Sequence, residues 1–279
     1  MILRLLMVGT LALFPSANGS ASESAPAFET LLKIDAHSHV FEDHPDIVGF
    51  FNRLNLRTVN VCVSGTNGLL EPMHEIAFEL YRRHPAVYPF EATFDLLRRN
   101  KPDYTASVIA WLDQAFARGA VGVKIWKEIG LVIKSPDGAY LLPDDPIWDP
   151  IYAHIARRGR VLHAHLGEPL EAWLPLDPDS PHHGYFSRRT EYYFYGKPEY
   201  PSHAAIIAAR DRIMEKHPTL VVVGAHLGSL EHDLDAIAQR FDRYPNFYVE
   251  VSARTKNLVR HPSATVRAFL IKYQDRVLY

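Results

Sequence analysis

From residue 31 onward, short apolar runs alternate with amphipathic stretches. Eight apolar runs predict strands at 31–40, 57–64, 87–94, 120–126, 160–166, 219–227, 246–252 and 276–279. Several, such as Leu220-Val221-Val222-Val223, are apolar at every position. That suits a parallel sheet covered on both faces; a half-exposed strand would alternate. Helical periodicity is clearest at 73–84, 106–117, 147–158, 203–217, 230–244 and 263–273. Ile206, Ile207, Ile213 and Met214 share one face of the fourth of these. Gly119 and Gly159 stand where a helix closes before a strand. Eight strands alternating with helices predict an α/β protein, a (β/α)8 TIM barrel. The alternative is an open doubly wound sheet, but no strand opens onto Gly-x-Gly-x-x-Gly or a Walker loop.

Two connections are long. The segment 128–146 predicts a small hairpin around Pro136-Asp137-Gly138. The segment 167–201 carries Trp173, Tyr185, Phe186, Tyr192, Tyr193, Phe194 and Tyr195. Both follow strands, so in a barrel both lie at the mouth, where long loops act as lids or specificity loops. Packing of a loop core or a subunit interface is the competing reading of the rings.

Composition narrows the class. The chain has 279 residues, 47% of them hydrophobic, enough for one large core. No repeat or linker divides it, so residues 22–279 read as one domain. A formal charge of −2 argues against nucleic acid as a partner. The single cysteine, Cys62, rules out an intrachain disulfide and a Cys-x-x-Cys site, and reads as a small core residue. Residues 1–21 read as a signal peptide, with Arg4, an apolar stretch over 5–14 and a small-residue end at Gly19-Ser20-Ala21. The apolar stretch is short for a membrane span. The expectation is an exported protein, periplasmic or secreted, with no membrane span once the signal is removed. Its expected partner is a small-molecule substrate, and a homo-oligomer is left open.

Of the fifteen histidines, five stand where apolar strands end. His37 and His39 close the first strand at i, i+2, a spacing that puts both rings on one strand face. His163 and His165 close the fifth, and His226 closes the sixth. In a parallel barrel these ends share one mouth. Imidazoles from three strands there suit a zinc site, which needs three or four nitrogen or oxygen ligands. Taken singly, each could be a hydrogen-bonded core residue. Lys124, inside the apolar fourth strand, needs a partner or loses its proton. It could grip a substrate carboxylate, bridge a metal as a carbamate, or pair with a barrel acid. Glu168 follows the fifth-strand histidines and could orient an imidazole. Arg254, after the seventh strand beyond Glu250, suits a substrate carboxylate or lies exposed in its loop.

Together these residues resemble the amidohydrolase superfamily, most closely the amidohydrolase-related (amidohydrolase 2) branch. The resemblance rests on Asp35-Ala36-His37-Ser38-His39, Gly122-Val123-Lys124, His165-Leu166-Gly167-Glu168-Pro169 and Ala225-His226-Leu227-Gly228. It implies a metal-dependent hydrolase on a TIM barrel, with one zinc as the expected cofactor and other divalent metals as alternatives. By motif position, His37, His39 and His165 would be metal ligands and His226 the catalytic imidazole. His163 would be a second-shell or substitute residue, beside Lys124, Glu168 and Arg254. The implied reaction is cleavage of an amide, ester or lactone bond by zinc-activated water; non-oxidative decarboxylation is the alternative. The branch also places a catalytic aspartate in a Gly-x-Asp after the eighth strand, and this chain reaches Tyr279 first. The expectation is therefore a barrel lacking the end of its eighth unit, with a non-catalytic exported metal-binding protein as a further alternative.

Overall fold

A computed structural model describes residues 27–63 and 70–279. The signal-peptide reading of residues 1–21 lies outside the described residues. Eight strands form: β1 (Lys33–Ser38), β2 (Leu56–Val61), β3 (Phe90–Ala92), β4 (Gly122–Ile125), β5 (Val161–Ala164), β6 (Val222–Gly224), β7 (Phe247–Glu250) and β8 (Val277–Leu278). Each is parallel to its sequence neighbour, in the order β1 to β8. The Ala36 amide donates to the Tyr279 carbonyl at 2.7 Å, which brings the last strand back onto the first. The result is a nearly closed (β/α)8 barrel.

A parallel connection must cross over, and each crossover here holds a helix. The first and shortest carries Pro45–Arg53. The others carry Leu70–Arg83, Tyr104–Ala117, Asp149–Arg157, His203–Lys216, Leu234–Arg243 and Ser263–Lys272. Two start at side-chain caps. Ser202 accepts from the Ala205 amide and Asp233 from the Ala236 amide, each satisfying an otherwise unpaired helical N–H. The apolar core lies between helices and barrel, where Leu112, Trp148, Ile155, Ile213 and Ile237 have no exposed surface.

The barrel interior near the mouth is different. Lys124 on β4 stands in register with His163 on β5. His163 reaches Glu91 on β3 and approaches Glu250 on β7. Contacts between non-adjacent strands can run only through the interior. The layer that branched apolar residues commonly fill is here filled by ionisable groups.

Within the described residues the strands are shorter than the apolar runs predict. This matters most at β1, whose register against β2 slips between Asp35 and Ser38. The strand ends at Ser38, so His39 lies beyond it and the i, i+2 rule does not by itself set the pair. A slip of this kind re-aims side chains at a strand end. The hairpin predicted in 128–146 is present as the Lys134–Tyr140 bridge.

Gly119 and Gly159 both take positive φ, +107° and +62°, where the chain leaves a helix for a strand. A methyl group on Gly119 would meet the Tyr81 ring at 2.2 Å, whereas one on Gly159 would meet nothing within 4 Å. Gly159→Ala is therefore expected to cost only the backbone penalty, about 1 kcal/mol. Gly119→Ala adds a steric clash and should cost at least about twice that. Urea unfolding of the two variants checks the ranking.

Candidate metal centre and active site

The five strand-end histidines form one connected cluster. The His37 ring lies 5.2 Å from His39, 4.8 Å from His163 and 4.9 Å from His226, and His165 lies 4.5 Å from His226. All five residues read from sequence as candidate imidazoles therefore come together, His163 in the lower layer and the other four at the mouth.

Glu250, at the end of β7 and without exposed surface, ties them together. Its Oε1 accepts from His37 Nδ1 at 2.9 Å and from the His226 amide at 2.6 Å. Its Oε2 accepts from the Ser252 amide. Burial alone would raise this carboxyl, but the nearby His163, 3.8 Å away, and the hydrogen bond from His37 hold it well below the usual carboxylate range. Beneath it lie Glu91, His163 and Lys124. Burial would also raise Glu91, but His163 and Lys124 outweigh it and keep the group below its ordinary value. Burial pulls His163 down, yet Glu91 outweighs that and leaves it above the ordinary imidazole value. Burial pushes Lys124 down to about 8, against the opposing charges of Glu91 and Glu250. The two carboxylates thus face Lys124 and His163, whose positive or proton-donating groups offset the cost of burying them.

The mouth histidines are kept neutral. Burial, with the Lys124 charge, pushes His37 down to about 4. Burial also lowers His39, and lowers His165 and His226 far below the ordinary value. His39 Nδ1 donates to the Val61 carbonyl at 2.7 Å, which leaves Nε2 as a lone-pair donor. His226 Nδ1 donates to the Ser252 carbonyl at 2.8 Å, with the same consequence. His165 Nε2 is buried with no hydrogen-bond partner among the described residues. On His37, Nε2 accepts from Lys124 Nζ at 3.2 Å.

These donors suit a divalent metal: neutral, buried imidazoles with unspent nitrogens. By distance, one grouping at the mouth is His37, His163 and Glu250, whose donor atoms lie within 4.8 Å of one another. Proton bookkeeping points elsewhere. His163 commits Nδ1 to Glu91, which raises it above the ordinary imidazole value, and the Glu250 oxygens already accept hydrogen bonds. Nε2 of His39 and of His165 carries no such commitment, and Nε2 of His37 is engaged only by a lysine whose proton burial has loosened. We therefore favour His37, His39 and His165 as the fitting donors.

The turn after β6 holds His226 in place. His226, Leu227 and Ser229 all take left-handed φ near +58°, a costly conformation for non-glycine residues. Its polar groups are tied down from several sides. Glu250 takes the His226 amide, the buried Arg210 donates to the Gly228 carbonyl, and His203 donates to the Ser229 carbonyl at 2.8 Å. Ser229 Oγ donates to the Leu166 carbonyl at 2.9 Å.

A cavity of about 470 Å³ opens over His165 and His226. Its wall includes Lys127, Glu168, Tyr185, Arg254 and Lys256. Glu168 does not orient an imidazole; its carboxylate pairs with Lys127, which also donates to Tyr185 Oη at 3.0 Å and sits 3.4 Å from the centre of the Tyr192 ring. Arg254 is buried at the mouth rather than exposed. Lys124 meets His37 below the cavity and does not line it. Within 167–201 both readings hold in part. Tyr185 lines the cavity, while Phe186 and Phe194 are buried in the loop's own core. Sequence reading ranked Glu250 too low and passed over Glu91, Lys127, His182 and Lys256. A glutamate in or ending an apolar strand is the available signal for Glu250 and for Glu91, which lies within the run 87–94; Lys127, His182 and Lys256 have none.

A sequence model of the amidohydrolase family matches residues 72–279. No curated protein sequence matches the chain. Among solved structures, an amidohydrolase II is 19% identical, with 85% of this chain and 83% of that one covered at a TM-score of 0.51. A 2,6-dihydroxybenzoate decarboxylase from Rhizobium is 15% identical, with 88% and 86% covered and a TM-score of 0.55. A 5-carboxyvanillate decarboxylase from Novosphingobium aromaticivorans, solved with manganese, is 15% identical, with 85% and 69% covered and a TM-score of 0.51. At these identities the likeness is one of fold.

Two outcomes follow from the buried charges. Glu250→Gln should weaken divalent-metal binding at least about tenfold and cost roughly 3–5 kcal/mol of stability. Competition with a chromogenic chelator and urea unfolding check both. In chelator-treated protein, stability should decline as pH falls from about 6.5 to about 4. The unfolded chain takes up protons at His37 and His203 below the ordinary value, while the folded chain, where both are pushed down to about 4, does not. A urea midpoint that is flat across that window contradicts the neutral burial of these rings.

Proposed function

The chain belongs to the amidohydrolase family, and from that membership we propose that it is a metal-dependent hydrolase cleaving an amide, ester or lactone bond of a small molecule that carries a carboxylate. One observation carries the reading. His226 lines the cavity as a neutral imidazole, its Nδ1 proton committed to Ser252 and its Nε2 free. Hydrolysis needs a base that is unprotonated at neutral pH, and burial keeps this ring so.

His37, His39 and His165 would hold the metal, with zinc the first expectation and other divalent ions also suited to the set. When bound, it supplies Lewis acidity to polarise the scissile carbonyl. The protein's own groups do the rest. His226 Nε2 takes a proton from the attacking water and returns it to the leaving group. Arg254 receives the substrate carboxylate with a guanidinium matched to it in shape and charge. Lys127, neutralised by Glu168 and packed on Tyr192, closes the facing wall. The leader read at 1–21 makes the periplasm or the exterior the proposed place of action.

Decarboxylation is the second reading, supported by the cationic groups Arg254 and Lys256 around the cavity of His165 and His226. A carboxylate bound there would be the leaving group rather than the anchor. Two of the fold neighbours are named as decarboxylases.

The test is to incubate metal-loaded protein with amides, esters, lactones and aromatic carboxylates and to follow hydrolysis and carbon dioxide release separately. Hydrolysis should appear, stop on chelation and return with added metal. His226→Asn should lower kcat about 10²- to 10⁴-fold with metal content unchanged. Carbon dioxide release without hydrolysis overturns the first reading in favour of the second, and turnover that survives chelation overturns both.

A further inference from the structure

The loop after the His226 turn carries Glu231, a carboxylate with no exposed surface. Neither of its oxygens receives a well-aligned hydrogen bond from the described residues. The cation beside it is Arg254, whose Nε lies 3.3 Å from Glu231 Oε2 and is itself without an aligned acceptor. Arg254 is buried, lines the cavity next to His226 and donates from Nη1 to the Ala253 carbonyl.

A buried ion pair of poor alignment is a weak source of stability, because desolvation of two charges offsets their attraction. The loops that carry this one are fixed by other means. His261 Nε2 donates to the Glu231 carbonyl at 2.8 Å. Ala253, at φ +57°, turns the chain just before Arg254, and the Arg254 amide returns to the Val251 carbonyl at 3.0 Å. The folding of this corner therefore does not require the pair, yet the pair sits directly behind the cationic wall of the cavity. Lys256 adds a second positive charge to that wall. Glu171 and His182 bring donor atoms within 4.8 Å of the Glu231 carboxylate, and the Arg254 charge already serves the anionic group that a cation would neutralise.

We propose that Glu231 is a positioning residue that holds the Arg254 guanidinium from behind, leaving its remaining N–H groups to face a carboxylate or similar anion of the substrate in the cavity. This rests on the reading of Arg254 as the substrate anchor. It predicts that Glu231 acts on anion affinity only through Arg254, and not on the metal.

The test is calorimetric titration of the metal-loaded full chain with benzoate, beside metal analysis of each variant. Glu231→Gln should weaken benzoate binding at least tenfold with metal content unchanged, and Arg254→Met should weaken it at least as much. The double variant Arg254→Met with Glu231→Met, which replaces the pair by apolar side chains of similar volume, should be no weaker than Arg254→Met alone. If Arg254→Met weakens binding and Glu231→Gln does not, Glu231 has no positioning role. If neither does, the reading of Arg254 fails instead. Effects that multiply in the double variant, or loss of metal in Glu231→Gln, also overturn the proposal; the latter marks a cation site at Glu171, His182 and Glu231. Should Glu231→Gln fail to fold, the double variant decides, because wild-type benzoate affinity in it is incompatible with any role for the pair.

Discussion

The carboxylate of Glu250 has no access to water, yet it is held ionised and takes hydrogen bonds from three parts of the chain. It receives the imidazole of His37 from the β1 end, the amide of His226 from the turn after β6, and the amide of Ser252 beyond its own strand. A buried charge is tolerated only when its donors are all in place. Meeting that demand fixes the tautomer of His37, supports the left-handed turn at His226 and draws the first and seventh strand ends together. His163, raised above its ordinary value by Glu91, and the buried Lys124 support it from below. The mouth histidines are neutral chiefly because they are buried, with the Lys124 charge below adding to the effect.

The barrel makes this arrangement available. Parallel strands send all their C-terminal ends to one side, so residues far apart in sequence, such as His37 and Glu250, meet without a long excursion of the chain. The price is a polar interior near the mouth. The apolar packing that stabilises the fold is accordingly displaced to the zone between barrel and helices. There, residues such as Trp148 and Ile155 are fully buried. Scaffold and chemistry are separated by depth, and the long 167–201 connection joins both, with Tyr185 on the cavity and Phe186 beneath it.

Much of this was legible in the sequence, for identifiable reasons. Continuous apolar runs announced buried parallel strands, and helical periodicity filled the gaps between them. The histidines at 37, 39, 163, 165 and 226 stood out because polar residues ending apolar strands are conspicuous. Their grouping could be read from topology alone. Partners could not. Nothing in the local pattern says that Glu168 turns to Lys127 rather than to an imidazole, or that Arg254 is buried over Glu231. Nor could a strand pattern show that His226 lies on left-handed backbone, since that conformation is imposed by Glu250, Arg210 and His203 from three other elements. The slip at β1 that places His39 beyond its strand is likewise a matter of pairing with β2.

The central claim is that neutral imidazoles from β1 and the β5 end form a divalent-metal site above a buried charged layer. Anomalous diffraction from crystals grown with zinc or manganese tests it most directly. The account predicts one strong peak within bonding distance of ring nitrogens of His37, His39 and His165, with Glu250 still accepting from His37. A peak seated instead between His163 and Glu250, or the absence of any peak in the cluster at saturating metal, would contradict it.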